Sequence, residues 1–296
     1  MIDTSSNEYW INAANYQSFE MRSHRFRAEM LPVFYQWLGI TPDSNVLDGG
    51  CGSGVFTRYL AAGLVNGHIT GFDINKTFIE YAKSQTSDKT TFDIADGYNL
   101  RYSDETFDAV TNYTYTGTLS DPEAGIKELI RVCKSSGTVS CVIATTAIPY
   151  VSWSGNYPFD KTGELQKLSA LENKIFAELH KPHSLQCREL ILFKKLGLSN
   201  IHMYPFSHLI CYSDDTFPLD YRKKLALEET REEIDWLNSR YSDNKIFYES
   251  HGFSRKQYLR LTVLLEQKYT YLSEHFETCE SYEWHGGFNY IVTGIK

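Results

Sequence analysis

The chain has 296 residues, 29 Lys and Arg against 37 Asp and Glu, and a formal net charge of -8. Its 42% hydrophobic content is enough for a buried core in one large domain, or in one domain with an elaborated cap. An acidic surface repels phosphate backbones, which excludes a nucleic-acid partner unless a local basic patch exists; the short patches at Arg22–Arg27 and Arg222–Lys224 read as solvated helix faces.

The opening "MIDTSSNEYW" lacks a basic region followed by an apolar stretch, so no secretory signal is expected. Tyr9, Trp10 and Tyr16 precede the first strand, and residues 1–40 are read as an N-terminal helical lid, with a simple packed helix as the alternative. Arg22, Arg25 and Arg27 suit an acidic acceptor or, more plainly, a solvated face.

From Asn45 onward, short apolar runs alternate with helical patterns. "NVLDGG" predicts a strand and "GVFTRYLAAGL" a helix; "HITGFDI", "KTFIEYAKSQ" and "TTFDIADG" predict strand, helix and strand. "TFDAVTNY" is a fourth strand and "PEAGIKELIRVCK" a helix with Pro122 in its first turn. A turn at Ser135, Ser136 and Gly137 leads into a fifth strand, "GTVSCVIAT". "TAIPYVSWSGNYPFDKTG" reads as a loop and "ELQKLSALENKIFAELH" as an amphipathic helix. "SLQCRELILFKKLGL" and "NIHMYPFSHLICY" restore a helix and a sixth strand.

Two long helices follow, "DYRKKLALEETREEIDWLNSRY" and "SRKQYLRLTVLLEQKYTYLSEHF". Ser254 and Gln257 are spaced for a capping box, and Tyr258, Leu261, Leu265, Tyr269, Leu272 and Phe276 mark the buried stripe of the second helix. "GFNYIVTGIK" is a closing strand. Strands alternating with helices predict a doubly wound α/β sheet, with ligands bound beyond the carboxyl ends of its strands. The expected layout is a doubly wound sheet domain over 41–212 and 284–296. A helical insertion over 213–283 would serve as a cap or a homodimer contact.

The six cysteines, Cys51, Cys133, Cys141, Cys187, Cys211 and Cys279, form no C-x-x-C pair and no zinc-spaced cluster with histidine. Free thiols in a reducing, cytoplasmic compartment and no bound metal are therefore expected. No window approaches the ~18 apolar residues a membrane span requires.

The chemistry concentrates in "VLDGGCGSG", Val46 to Gly54. Glycines at a strand-to-helix junction let a ligand approach the backbone and the free N–H groups of the helix start. A dinucleotide fingerprint needs G-x-G-x-x-G, but Gly50, Gly52 and Gly54 give G-x-G-x-G, with Val55 where the third dinucleotide glycine would fall. Asp48 at the strand tip would repel a pyrophosphate and suits a ligand bearing ammonium and sulfonium charges. Asp73, ending the second strand, can accept from ribose hydroxyls in either ligand class; Asp96, ending the third, can accept from an adenine amino group.

"VLDGGCGSGVFTRYLA", "GHITGFDI", "ADGYNLRYSDETFDAVTN" and "ELIRVCKSSGTV", in this order, resemble the class I S-adenosylmethionine-dependent methyltransferases. Within them the chain is similar to the small-molecule branch of the ubiquinone/menaquinone-biosynthesis type. The resemblance covers residues 40–145 and extends more loosely into "LILFKKLGLSNIHMYPF" and "FNYIVTGIK". It implies a seven-stranded Rossmann-like sheet and S-adenosyl-L-methionine as methyl donor, leaving S-adenosyl-L-homocysteine. It also implies that Asp48, Gly50, Cys51, Gly52 and Gly54 hold the methionine part, Asp73 the ribose, and Ile74 one adenine face. Asp96 and Gly97 would take the adenine edge, and Asn112 would face the methyl group. Gly49 departs from the family, which has a larger residue there.

Methyl transfer from a sulfonium asks mainly for alignment and exclusion of water, with a base only where the acceptor arrives protonated. The candidates for such a base are His180 and His183 in "LHKPHS", followed by His208 and His285; each also reads as a surface or capping histidine. Tyr113 and Tyr115, just past the fourth strand, could offer a hydroxyl or a π-face to the sulfonium. The expected partner is a small organic acceptor. The competing readings are a non-catalytic S-adenosylmethionine-binding protein and a nicotinamide-dependent oxidoreductase.

Overall fold

The computed structural model describes residues 22–144, 151–153, 157–179, 188–212, 214–278 and 284–296. The chain divides into two compact units. One holds Ile2–Ala144, Cys187–Phe206 and Asn289–Lys296; the other holds Thr145–Gln186 and Ser207–Phe288.

The first unit is built on a twisted sheet of β1 (Asn45–Gly49), β2 (His68–Asp73), β3 (Thr90–Ile94), β4 (Phe107–Asn112) and β5 (Cys133–Ala144). β7 (Ser199–Cys211) and β8 (Trp284–Ile295) complete the seven expected strands. The spatial order is β3-β2-β1-β4-β5-β8, with β7 also paired to β8. β1 to β5 are parallel, while β8 runs antiparallel to β5 from Thr138↔Ile295 to Ala144↔Asn289. The alternating rhythm of the sequence does not reveal that reversal.

Alternate residues of each strand face opposite sides of a sheet. Leu47, Val110, Cys141 and Val292 pack on one side with Ile126, Leu129 and Phe193. Their neighbours Val46, Ala109, Val142 and Ile291 pack on the other with Phe34, Phe56 and Leu60. The first side is covered by helices Pro122–Val132 and Arg188–Lys195, the second by Leu31–Leu38 and Val55–Ala61. Because both faces are buried, the central strands read as continuous apolar runs. In chain order the helices are α1 (Leu31–Leu38), α2 (Val55–Ala61), α3 (Lys76–Ser84), α4 (Pro122–Val132), α5 (Glu164–Leu179), α6 (Arg188–Lys195), α7 (Leu219–Asp243), α8 (Lys245–Ser250) and α9 (Arg255–His275).

Several boundaries differ from those expected. Of the lid predicted over 1–40, residues 1–21, with Tyr9, Trp10 and Tyr16, lie outside the described residues. α1 is a packed element of the core: Phe34 and Leu38 are buried, and Trp37 stacks on Tyr204 at 5.0 Å. The turn expected at Ser135, Ser136 and Gly137 falls within a strand instead. β5 begins at Cys133, and the pairing jumps from Phe107↔Cys133 to Ala109↔Thr138, so the extra residues bulge out with Ser136 at φ 65°. Ser136 N–H then donates to the Lys296 carbonyl.

The second unit contains α5, α7, α8 and α9, together with a short β6 (Val151–Trp153) inside the segment read as a loop. β6 pairs antiparallel with Trp284–Gly286 of β8. This unit is wider than the predicted 213–283 insertion because α5 belongs to it. Arg260 reaches Glu164, Ser169 donates to Glu233, and the Tyr248 hydroxyl donates to the buried Glu172. Leu261, Leu265, Leu272 and Phe276 are buried along α9 as the periodicity requires, joined by Leu264 and Lys268. Among the described residues, no helix is long and apolar enough to cross a membrane.

α9 starts with the capping box read from the sequence: Ser254 Oγ accepts from Gln257 N–H, and Gln257 Oε1 accepts from Ser254 N–H at 2.8 Å. Ser254→Ala should lower stability by about 1 kcal/mol in urea unfolding, with Ser254→Thr retaining most of it. Equal midpoints for Ala and wild type would refute the cap's contribution.

Candidate functional site

The parallel register brings the carboxyl ends of four strands to one edge. Gly49 pairs with Phe72 and with Asn112, and Asp73 pairs with Ile94. The loops leaving β1, β2, β3 and β4 therefore meet there, as expected for a doubly wound sheet.

Asp48 is fully buried at the end of β1. Thr57 Oγ1, on the first turns of α2, donates to its Oδ2 at 2.6 Å, while Oδ1 has no hydrogen-bond partner among the described residues. Burial pushes the carboxyl up to about 7, the Thr57 bond lowers it, and the Asp73 charge adds to the rise. Beyond Asp48, Gly50, Gly52 and Gly54 have φ of 62°, 55° and 85°. A side chain would be strained at each of these left-handed positions, which accounts for the glycine run. Gly54 is the N-cap of α2, and its bare Cα lets Phe92 pack close: a Cβ there would stand 2.7 Å from the Phe92 ring. Cys51 N–H donates to the Phe72 carbonyl, and burial pushes its thiol well above the ordinary value.

Asp73 locks the loop. Its Oδ2 accepts from Gly52 N–H and its Oδ1 from Asn75 N–H, both at 2.9 Å. Burial raises its pKa and these backbone donors oppose the rise. Ile74 follows at the rim. Asp96 is exposed, with Oδ1 accepting from Tyr98 N–H at 3.0 Å, and Gly97 beside it is buried.

Asn112, which ends β4, is buried: its Nδ2 donates to the Ser140 carbonyl of β5 at 3.1 Å and lies 3.2 Å from Cys141 Sγ, while its Oδ1 has no partner among the described residues. A buried amide on an interior strand takes the carbonyl within reach. Tyr113 sits among Phe26 and Phe56, with ring centroids 5.0 and 5.5 Å away, and its buried hydroxyl has no partner among the described residues. Thr114 holds φ 58° and donates its N–H to Val142.

One cavity, about 660 Å³ including its open mouth, is bordered by Gly50, Gly52, Asp73, Ile74, Asp96 and Gly97. Phe72, Tyr98, Tyr115 and Leu119 complete its wall. A second, about 470 Å³, is bordered by Asp48, Gly50, Cys51, Gly52, Val55 and Phe56, with Phe26. Both share Gly50, Gly52, Tyr113 and Thr114. The sequence reading passed over Phe26, Phe56, Tyr98, Thr114 and Leu119. No role was assigned to them there, because a residue that lines a cavity has the same local pattern as one in the core.

Of the histidines proposed as bases, His180 and His183 lie outside the described residues. His208 and His285 are strand residues of β7 and β8, and His285 pairs by its backbone with Ser152. Of the arginines, Arg27 donates to Glu29 at 2.6 Å.

The Asp48 shift has a definite sign. Below pH ~4 the carboxyl is protonated in both states. Between there and about 7 the folded protein keeps a proton that the unfolded chain has lost, so stability falls as pH rises through this window. Asp48→Asn should flatten the decline of the thermal midpoint between pH 4.5 and 7.5. Parallel wild-type and variant curves would contradict the assignment.

Residues 47–141 match the family model described as a methyltransferase domain. The chain is 29% identical to the demethylmenaquinone methyltransferase of Bacillus licheniformis over 187 residues, 58% of this chain and 78% of that protein. It is 31% identical to the enzyme of that name from Clavibacter sepedonicus over 36% of this chain, and spans 44% of that relative's length. A solved structure from Anabaena variabilis, assigned as a methyltransferase of an antibiotic biosynthesis pathway, superposes with a TM-score of 0.56 at 16% identity. That superposition covers 92% of this chain and all of the other, and bears on the fold. Residues 47–141 thus carry a methyltransferase domain, and the glycine loop, its acids and the sheet order are those of the class I S-adenosylmethionine-dependent methyltransferases.

Proposed function

We propose that the chain transfers a methyl group from S-adenosyl-L-methionine to a small organic acceptor by in-line displacement. The observation that carries this reading is Asp48, a buried acid at the end of β1 with one oxygen unpartnered beside the second cavity. An uncompensated carboxylate there attracts a cationic amino-acid end and repels a pyrophosphate. Val55, which borders the same cavity at the first turn of α2, also covers ground that a dinucleotide phosphate would need.

The residues suit the donor. Asp48 and the Gly50–Gly54 loop, Cys51 included, would hold its methionine part. The Asp73 carboxylate, two of whose acceptor positions are taken by Gly52 and Asn75, keeps capacity for ribose hydroxyls. Ile74 would cover an adenine face, with Asp96 and Gly97 at its edge. When bound, the donor supplies an already activated methyl group; the protein aligns the acceptor and keeps water out. Tyr113, shared by both cavities, would border the methyl. His180 and His183 are our candidates for a base where the acceptor needs deprotonation. A small acceptor is supported by the names of the Bacillus and Clavibacter relatives and by the chain's acidic charge.

Titration calorimetry with S-adenosylhomocysteine and NAD tests the donor: the first should bind and the second should not. Asp73→Ala should weaken S-adenosylhomocysteine at least about tenfold, by loss of charge-assisted hydrogen bonds. Uptake of NAD alone would overturn the reading. A mass-spectrometric screen of phenols, amines, thiols and carboxylates should yield a methylated product; binding without product from any class would favour a non-catalytic binding protein.

A further inference from the structure

The glycine cradle holds an aromatic residue that none of the motifs assigns. A Cβ on Gly50 would overlap the Tyr115 ring, and a Cβ on Gly97 would overlap the Tyr115 hydroxyl. The ring thus spans from the β1 loop to the β3 loop, meeting Phe72 edge to face at 5.9 Å. Part of what the two glycines accommodate is this side chain.

Its position is imposed by the backbone. Thr114 has φ 58°, a left-handed backbone that is unusual and strained for a β-branched residue. The residues on either side are pinned: Thr114 N–H donates to the Val142 carbonyl at 2.8 Å. Thr116 Oγ1 donates to the buried Glu189 at 2.9 Å, and the Thr116 carbonyl accepts from Arg188 at 2.7 Å. Strain held in place at a cavity wall marks a placed side chain.

The Tyr115 hydroxyl is buried and has no hydrogen-bond partner among the described residues. Burial, reinforced by nearby Tyr98, Asp73 and Asp96, raises its pKa, so the phenol keeps its proton and can donate. A buried donor without a partner is costly, and the cost is recovered when a ligand brings an acceptor. Asp73 and Asp96 offer acceptors on this cavity and Tyr115 offers a donor, a set that matches a nucleoside, with its hydroxyl and amino donors and its ribose-oxygen and ring-nitrogen acceptors.

We propose that Tyr115 is a specificity-determining residue of the donor site, whose hydroxyl donates to an acceptor on the nucleoside half of the adenosyl ligand. This rests on the donor-site reading above and extends it. It assigns Tyr115 to the nucleoside, not to the sulfonium.

The test is Tyr115→Phe, measured by titration calorimetry with S-adenosylhomocysteine and with 5′-methylthioadenosine, which lacks the amino-acid end. Both ligands should weaken by about the same factor, roughly five- to thirtyfold. The thermal midpoint without ligand should hold or rise, because an unpartnered buried hydroxyl has been removed. A merely structural tyrosine would not combine kept stability with lost affinity. Wild-type affinity in Tyr115→Phe, or a loss confined to S-adenosylhomocysteine, would overturn the proposal while Asp73→Ala still weakens binding. Wild-type protein that takes up neither ligand would overturn the donor-site reading, and this inference with it.

Discussion

The Asp73 carboxylate ties the end of β2 to the loop beyond β1, and the whole binding edge depends on that tie. It accepts from Gly52 N–H and from Asn75 N–H, and so holds two loops in fixed relation. A loop with three left-handed glycines has large conformational entropy to lose on folding. A charge-assisted acceptor at its centre, together with the Cys51 N–H bond to the Phe72 carbonyl, selects one conformation. The same carboxylate retains acceptor capacity toward the cavity, so the group that orders the loop is also the one placed to read a ligand.

Asp48 works under the opposite condition. Asp73 is compensated by backbone donors; Asp48 has a single donor, Thr57, and one oxygen left over. Burial without compensation is why its pKa approaches 7. Two acids on adjacent strands thus differ in role through what surrounds them. Tyr115 completes the asymmetry as a buried donor between acceptors.

The helical unit shows how polar groups are buried where no ligand reading is needed. Glu172 accepts from Tyr248 and faces Arg240 at 3.4 Å, and Lys268 lies 3.7 Å from Glu233. Arg240 also lies over the Phe176 ring at 3.6 Å. Each of these charges has a partner, as buried ions require. At the carboxyl ends of the strands, Asp48 Oδ1 and the Tyr115 hydroxyl are instead buried without a partner among the described residues.

Much of this was written locally in the sequence. The glycine run, the acids closing β1, β2 and β3, the capping box at Ser254 and the stripe along α9 follow from φ preferences, strand alternation and helical period, which act over a few residues. The side of the strand taken by Asn112, the reversal of β8, the bulge at 133–137 and the contact of Tyr115 with Gly50 and Gly97 were not legible there. They depend on register between distant strands and on the sign of φ at Thr114, which a β-branched residue does not announce. The sequence by itself determined where the backbone is left open to close approach, at the glycine run beyond β1. Only the tertiary structure decided which side chains surround that opening, because that choice is made by packing between segments far apart in the chain.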